Sequence, residues 1–215
     1  VTDLSDDCAT GDLGWISDST TDYDTDGCQD SNEDLDDDND GVTDLSDDCA
    51  TGDLGWTSDS TSDHDSDGCQ DSSSEDLDDD NDGMADVSDD CQTGDLGWTS
   101  SSTTDHDSDG CQDSSTEDSD DDNDTVLDSS DDCQTGDLGW TSSSTTDYDS
   151  DGCQDSDEDI DDDNDSFLDG IDDCIHTFGN STINARGCID SDGDGWTEEG
   201  SDYWAEDDFP SDPTQ

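Results

Sequence analysis

Ten cysteines, at positions 8, 28, 49, 69, 91, 111, 133, 153, 174 and 188, set the strongest limit on what this chain can become. The gaps between them are 20, 21, 20, 22, 20, 22, 20, 21 and 14 residues. An even count at regular spacing, in a chain with little apolar material, predicts a disulfide framework and an oxidising compartment. Zinc is a poor alternative, because no CxxC pair occurs and only three histidines are present.

Without the cysteines, composition alone would describe a disordered polyanion. Of 215 residues, 72 are Asp or Glu and only one, Arg186, is Lys or Arg, for a formal charge of −71; 22% are apolar. Self-repulsion and scarce apolar surface both oppose compaction. A chain with one base cannot neutralise phosphates, so nucleic acid is excluded as a partner. An anionic membrane surface would repel it, and no apolar run is long enough to insert.

The sequence repeats. "GDLGW" begins at Gly11, Gly52, Gly94 and Gly136. Each unit runs SDDC, TGDLGW, a Ser/Thr stretch, DxDxDGCQD and DDDND. The units divide as 1–47, 48–89, 90–131 and 132–172, then a degenerate fifth repeat at 173–190 and an acidic tail at 191–215. Neither helical nor strand periodicity is present; Gly, Asp, Asn and Ser predict turns throughout. The fold class expected is an irregular, loop-rich repeat rod stabilised by calcium and disulfides. Trp15, Trp56, Trp98 and Trp140 are expected to form small local cores, each covering its own disulfide.

The acids carry a ligand spacing. A calcium loop of the EF-hand kind takes oxygens from positions 1, 3, 5, 7 (a backbone carbonyl), 9 and 12, with Gly at 6. "DYDTDGCQDSNE" fills every slot with Asp22, Asp24, Asp26, Cys28, Asp30 and Glu33. Its sister copies supply Asp63, Asp65, Asp67, Cys69 and Asp71; Asp105, Asp107, Asp109, Cys111 and Asp113; and Asp147, Asp149, Asp151, Cys153, Asp155 and Glu158. Glu75 and Glu117 fall one place late in the two middle copies. A second loop follows each first one: Asp36, Asp38, Asp40, Val42, Asp44 and Asp47; Asp78, Asp80, Asp82, Met84, Asp86 and Asp89; Asp120, Asp122, Asp124, Val126, Asp128 and Asp131; Asp161, Asp163, Asp165, Phe167, Asp169 and Asp172. The tail adds a weaker ninth with Asp190, Asp192, Asp194, Trp196 and Glu198. Hard oxygens in flexible loops suit Ca2+ better than Mg2+, whose tight octahedral shell prefers water. About nine Ca2+ sites are expected; nine ions would add 18 charges to −71 and leave −53.

The disulfides are expected within repeats: Cys8–Cys28, Cys49–Cys69, Cys91–Cys111, Cys133–Cys153 and Cys174–Cys188. The shifted register, starting Cys28–Cys49, would strand Cys8 and Cys188. It would also staple across a DDDND loop that a metal already closes.

DxDxDG loops alternating with SDDC and DGC make residues 1 to about 190 resemble thrombospondin type 3 repeats. The likeness is closer still to calcium-binding repeats of secreted and surface proteins from aquatic bacteria and archaea. The tail, with "DDFPSDPTQ", is similar to a spacer in such surface proteins. The resemblance implies a calcium-wrapped, disulfide-stapled rod with little regular secondary structure. The chain departs from the vertebrate pattern in lacking Pro after the first Cys of each repeat and in inserting TGDLGW.

The role expected is structural: an extracellular or cell-surface fibril subunit or stalk, self-associating or continuing a longer chain. A calcium-dependent adhesin and a calcium buffer or mineral-templating polyanion are the alternatives. Only the tail, with Trp196, Tyr203, Trp204 and Phe209, has the irregular aromatic content an adhesin needs. No enzyme is expected, since carboxylate pairs are everywhere and His64 and His106, at loop position 2, read as exposed side chains. Asn123, Asn164 and Asn180 begin N-glycosylation sequons, and the Ser/Thr runs could carry O-linked sugars. In the fifth repeat, Thr182, Asn184 and Arg186 replace the loop acids, predicting a metal-free loop in which Arg186 pairs with Asp190 or Asp172 or lies in solvent. At the start, Val1, Asp3 and Asp6 match positions 7, 9 and 12 of a loop whose first half is absent. Either an upstream segment or the tail acids of a neighbouring subunit (Asp202, Glu206, Asp207, Asp208 and Asp212) would complete it.

Overall fold

A computed structural model describes residues 6–198 and 207–213. Among them the only regular element is one 3-10 turn, Asp86–Ser88. Everything else is turn, bend and loop, as a sequence of Asp, Asn, Gly and Ser dictates: short polar side chains bond their own backbone and compete with helix and sheet. No helix among the described residues is long and apolar enough to cross a membrane. The chain divides into two compact units, Val1–Glu117 and Asp118–Gln215.

Five disulfides join Cys8–Cys28, Cys49–Cys69, Cys91–Cys111, Cys133–Cys153 and Cys174–Cys188, the within-repeat register. They are the chemistry of an oxidising compartment rather than a reducing cytosol. The buried apolar residues among those described are Cys28, Cys69, Cys111, Cys153, Ala185 and Cys188. The four repeat tryptophans, Trp15, Trp56, Trp98 and Trp140, are only part-buried, although the indole Nε1 of Trp56, Trp98 and Trp140 is buried. Leu13 beside the first is 97% exposed. Fully buried positions are largely taken by carboxylates: Asp22, Asp63, Asp105 and Asp147 are each 0% exposed.

Hydrogen bonds also run between consecutive repeats. Gly52 N–H donates to Asp38 Oδ2 and Gly94 N–H to Asp80 Oδ2, both at 2.8 Å. Tyr23 Oη donates to the Gly52 carbonyl, and His64 Nε2 lies 2.9 Å from the Gly94 carbonyl. The loop-position-2 ring is therefore a link to the following repeat. His64 and His106 are part-buried, which corrects their reading as exposed side chains.

Candidate metal loops

Four backbone-to-carboxylate hydrogen bonds recur in every one of the nine loops. In the loop 36–47, the Gly41 amide donates to Asp36 Oδ2 at 3.2 Å and the Asp40 amide to Asp38 Oδ1 at 3.3 Å. The Val42 amide donates to Asp40 Oδ1 at 2.7 Å and the Asp37 amide to Asp44 Oδ1 at 2.8 Å. Position 1 thus takes the amide of 6, position 3 that of 5, position 5 that of 7, and position 9 that of 2. The ninth loop follows the same rule with Asp190, Asp192, Asp194 and Glu198. Each loop bends through two left-handed residues. Position 4 (Thr25, Asn39, Ser66, Asn81, Ser108, Asn123, Ser150, Asn164, Gly193) has φ of 54–82°, and position 6 has φ of 81–101°. Asn suits position 4 because its short amide tolerates that region.

At positions 1 and 5 of the second loops in repeats 1 to 3, one carboxylate oxygen shapes the backbone and the other is left for a ligand, whereas Asp38, Asp80 and Asp122 at position 3 use both oxygens on backbone amides. In loop 36–47 the remaining oxygens Asp36 Oδ1, Asp40 Oδ2 and Asp47 Oδ2 are buried with no hydrogen-bond partner; so are Asp120 Oδ1, Asp124 Oδ2 and Asp131 Oδ2 in loop 120–131. Burying an unpaired carboxylate oxygen is costly unless a cation faces it. The carboxylates of Asp36, Asp38 and Asp40 can place one oxygen each within 4.8 Å of one another, as can those of Asp22, Asp24 and Asp26. The donor set is hard oxygen at calcium spacing, and it fits Ca2+.

The position-12 acids of the second loops lie close to the acids at positions 1, 3 and 5. Burial, followed by the charges of Asp38, Asp40 and Asp36, pushes Asp47 up to about 7. Burial and Asp122, Asp124 and Asp120 do the same to Asp131, to about 7, while Asp89 rises to about 6. These values fix a sign for the calcium-free protein. A folded-state value above the unfolded one, near 4, favours folding fully below about 4, and that contribution is lost as pH rises through about 7. In chelator, the chain is therefore expected to become more compact as pH falls from 7 to 4, measured by small-angle scattering. Expansion over that window would contradict the burial of these acids.

The glutamates at or just past position 12 of the first loops bond backbone amides upstream of those loops. Glu33 Oε1 accepts the Asp12 amide at 2.6 Å, and Glu158 Oε1 the Asp137 amide at 3.0 Å. Glu75 and Glu117 likewise accept the amides of Asp53 and Asp95. All four glutamates tie down the GDLGW segment. The acid brought against Asp26 and Cys28 is Asp34, whose charge environment is set by burial and then by Asp26 and Asp24. Asp76 stands in the same relation to Asp65 and Asp67, and Asp159 to Asp149 and Asp151. The sister cysteines are oxidised, so a sulfur ligand is not available from them. Asp76→Asn is expected to remove one bound calcium per chain, whereas Glu75→Gln should keep the count and loosen only the GDLGW segment. Equilibrium dialysis separates these; equal losses from both would contradict the assignment.

The position-9 acids converge elsewhere. Asp30 and Asp44 face Asp37, at position 2 of the second loop, which burial and then these neighbours raise to about 6. Asp30, Asp34 and Asp37 form a cluster of their own. Asp79 sits likewise among Asp86, Asp71 and Asp76.

In the fifth repeat a hydroxyl replaces the carboxylates. Ser181, fully buried, donates to the Ala185 carbonyl and accepts the Cys188 amide. Asn184 Oδ1 accepts the Thr197 amide at 2.8 Å. Arg186 is exposed, and its backbone pairs with Asp173. The only charge pair among the described residues is His176–Asp162. Pairing of the Arg186 guanidinium with Asp190 or Asp172 is accordingly not found among them.

The ninth loop has a closing acid that spacing could not reveal. Asp207 approaches Asp192, is 9% exposed, and holds the Thr197 carbonyl through its amide. That places it beside the ninth loop of its own chain. Asp208 and Asp212 are exposed. At the other end, Asp6 packs against Gly27 as Asp47 packs against Gly68, with Oδ1 buried. Val1, Asp3, Asp202, Tyr203, Trp204 and Glu206 lie outside the described residues. Asn123, Asn164 and Asn180, the sequon positions, are exposed. No family model matches the chain, and no curated protein matches it.

Proposed function

We propose that this is an extracellular calcium-binding structural repeat protein, a fibril subunit or surface stalk in which Ca2+ takes the place of a hydrophobic core. The observation that carries the reading is the division of labour within the carboxylates at positions 1 and 5 of the second loops in repeats 1 to 3, such as Asp36 and Asp40: one oxygen is fixed by a backbone amide, the other is buried without a hydrogen-bond partner. Asp36, Asp38, Asp40 and Asp47 and their second-loop counterparts would hold the ion, with the position-7 carbonyl of Val42 and its sisters completing the shell. Bound calcium would supply charge neutralisation, so binding energy becomes folding energy. The near-identical repeats give uniform mechanics without a unique pocket, which supports a structural role over an adhesin or a catalyst. Five disulfides and a large net negative charge suit a soluble, hydrated surface outside the cell.

Negative-stain electron microscopy at millimolar calcium tests the role. Elongated particles or filaments of constant width are expected, dispersing into irregular coils in chelator. Compact globular particles, unchanged by chelator, would overturn it.

A further inference from the structure

One junction departs from its sisters in a way that changes the ligand chemistry. Where repeat 1 gathers the all-oxygen cluster of Asp30, Asp34 and Asp37, the junction of repeats 4 and 5 gathers Asp155, Asp162 and His176, again with one ligand atom from each within 4.8 Å. His176 Nε2 lies 3.0 Å from Asp162 Oδ2. Asp162 is 4% exposed, and its other oxygen, Oδ1, is buried with no hydrogen-bond partner. Asp169 is held alongside, its Oδ1 accepting the Asp162 amide at 3.0 Å.

The imidazole is braced. Its ring stacks on Tyr148, centroids 5.4 Å apart with 26° between planes. At the junctions of repeats 1–2 and 2–3, the residue in the Tyr148 position bonds a glycine carbonyl of the next repeat instead. The Cys174–Gly179 segment is two residues longer than its Cys49–Gly52 counterpart, and His176 falls in that longer stretch.

We propose that Asp155, Asp162 and His176 form a site for a borderline divalent cation of the zinc class, distinct in preference from the calcium loops. A plain His–Asp ion pair accounts for one oxygen of Asp162 but leaves the buried Oδ1 and the convergent Asp155 uncompensated. Calcium prefers an all-oxygen shell, whereas an imidazole nitrogen with two carboxylates suits Zn2+, with water filling the fourth position. The His176 side chain is 51% exposed, which leaves an entry path for the ion.

The test is a titration of the full, disulfide-intact chain with Zn2+ in saturating calcium, followed by NMR of the side chains of its three histidines. The His176 ring resonances should shift and saturate at one equivalent, while those of His64 and His106 stay in place. His176→Gln should weaken this step about tenfold or more, with calcium stoichiometry and circular dichroism unchanged as the check on folding. Asp162→Asn should weaken it while leaving the histidine signals resolved. The proposal is overturned if all three histidines shift together, if none shifts, or if millimolar calcium reverses the effect. The nitrogen-specific readout does not depend on the calcium assignment, so either can fail alone.

Discussion

Removing calcium from the disulfide-intact chain is expected to unfold it without separating its cysteines. A ligand that binds only the folded state stabilises by about 2.7 kcal/mol per site at a hundredfold excess over its dissociation constant. Nine independent sites would then contribute roughly 24 kcal/mol, above the ~5–15 kcal/mol net stability of ordinary domains. The apolar interior among the described residues, five cysteines and Ala185, could not offset that loss. In chelator, small-angle scattering should show expansion and circular dichroism a loss of native signal, both reversed by calcium, while non-reducing peptide maps keep all five disulfides. A chain equally compact in excess chelator at pH 7 would mean that the disulfides and hydrogen bonds suffice and the acids are surface decoration.

The second large effect separates two glycines that look alike in sequence. Gly68, at position 6 of a first loop, has φ 90°, and an added Cβ would lie 2.2 Å from Asp47 Oδ1 of the preceding loop. Gly83, at position 6 of a second loop, has φ 96°, and its Cβ would meet nothing nearer than Thr99 Cγ2 at 3.7 Å. Gly83→Ser is expected to cost about 1 kcal/mol, the backbone strain alone. Gly68→Ala adds displacement of a closing acid and should cost about 2–4 kcal/mol. It should also weaken calcium binding at the loop that holds Asp47. The sequence has already made the milder exchange: Thr125 and Ser166 occupy position 6 of second loops, at φ 85° and 81°. The two variants are compared by the calcium concentration at their folding midpoint. Equal shifts would show that only the dihedral angle matters there.

Much of the molecule could be read from its residues, because its rules are local. Loop positions 1, 3 and 5 are fixed by Asx-type bonds to amides a few residues on, so a repeating DxDxDG is nearly a statement of geometry. The disulfide register followed from spacing for the same reason. Contacts made across the variable Ser/Thr-rich stretches were harder to see. Glu33 sits at an ideal twelfth position yet reaches back to the Asp12 amide, while Asp34 takes the place beside Asp26. The signal was available: Asp34, Asp76, Asp118 and Asp159 each precede the next loop's first Asp by two residues, whatever the length of the stretch before them. The tryptophans stay part-exposed because fully buried positions are largely taken by carboxylates, which the apolar pattern alone does not reveal. Tyr23 and His64 were read as loop decoration because nothing within one repeat reveals a bond to the next.

Calcium stoichiometry is the most direct test of the central claim that the acids form inner coordination shells. Equilibrium dialysis of the full chain against radiolabelled calcium, in excess magnesium and moderate salt, counts ions that survive competition and screening. A saturable plateau of no fewer than nine ions per chain is expected, falling by one in Asp40→Asn and by one in Asp124→Asn. Binding that rises without a plateau, or a count that neither substitution changes, would show a diffuse counterion cloud around a polyanion and contradict the account.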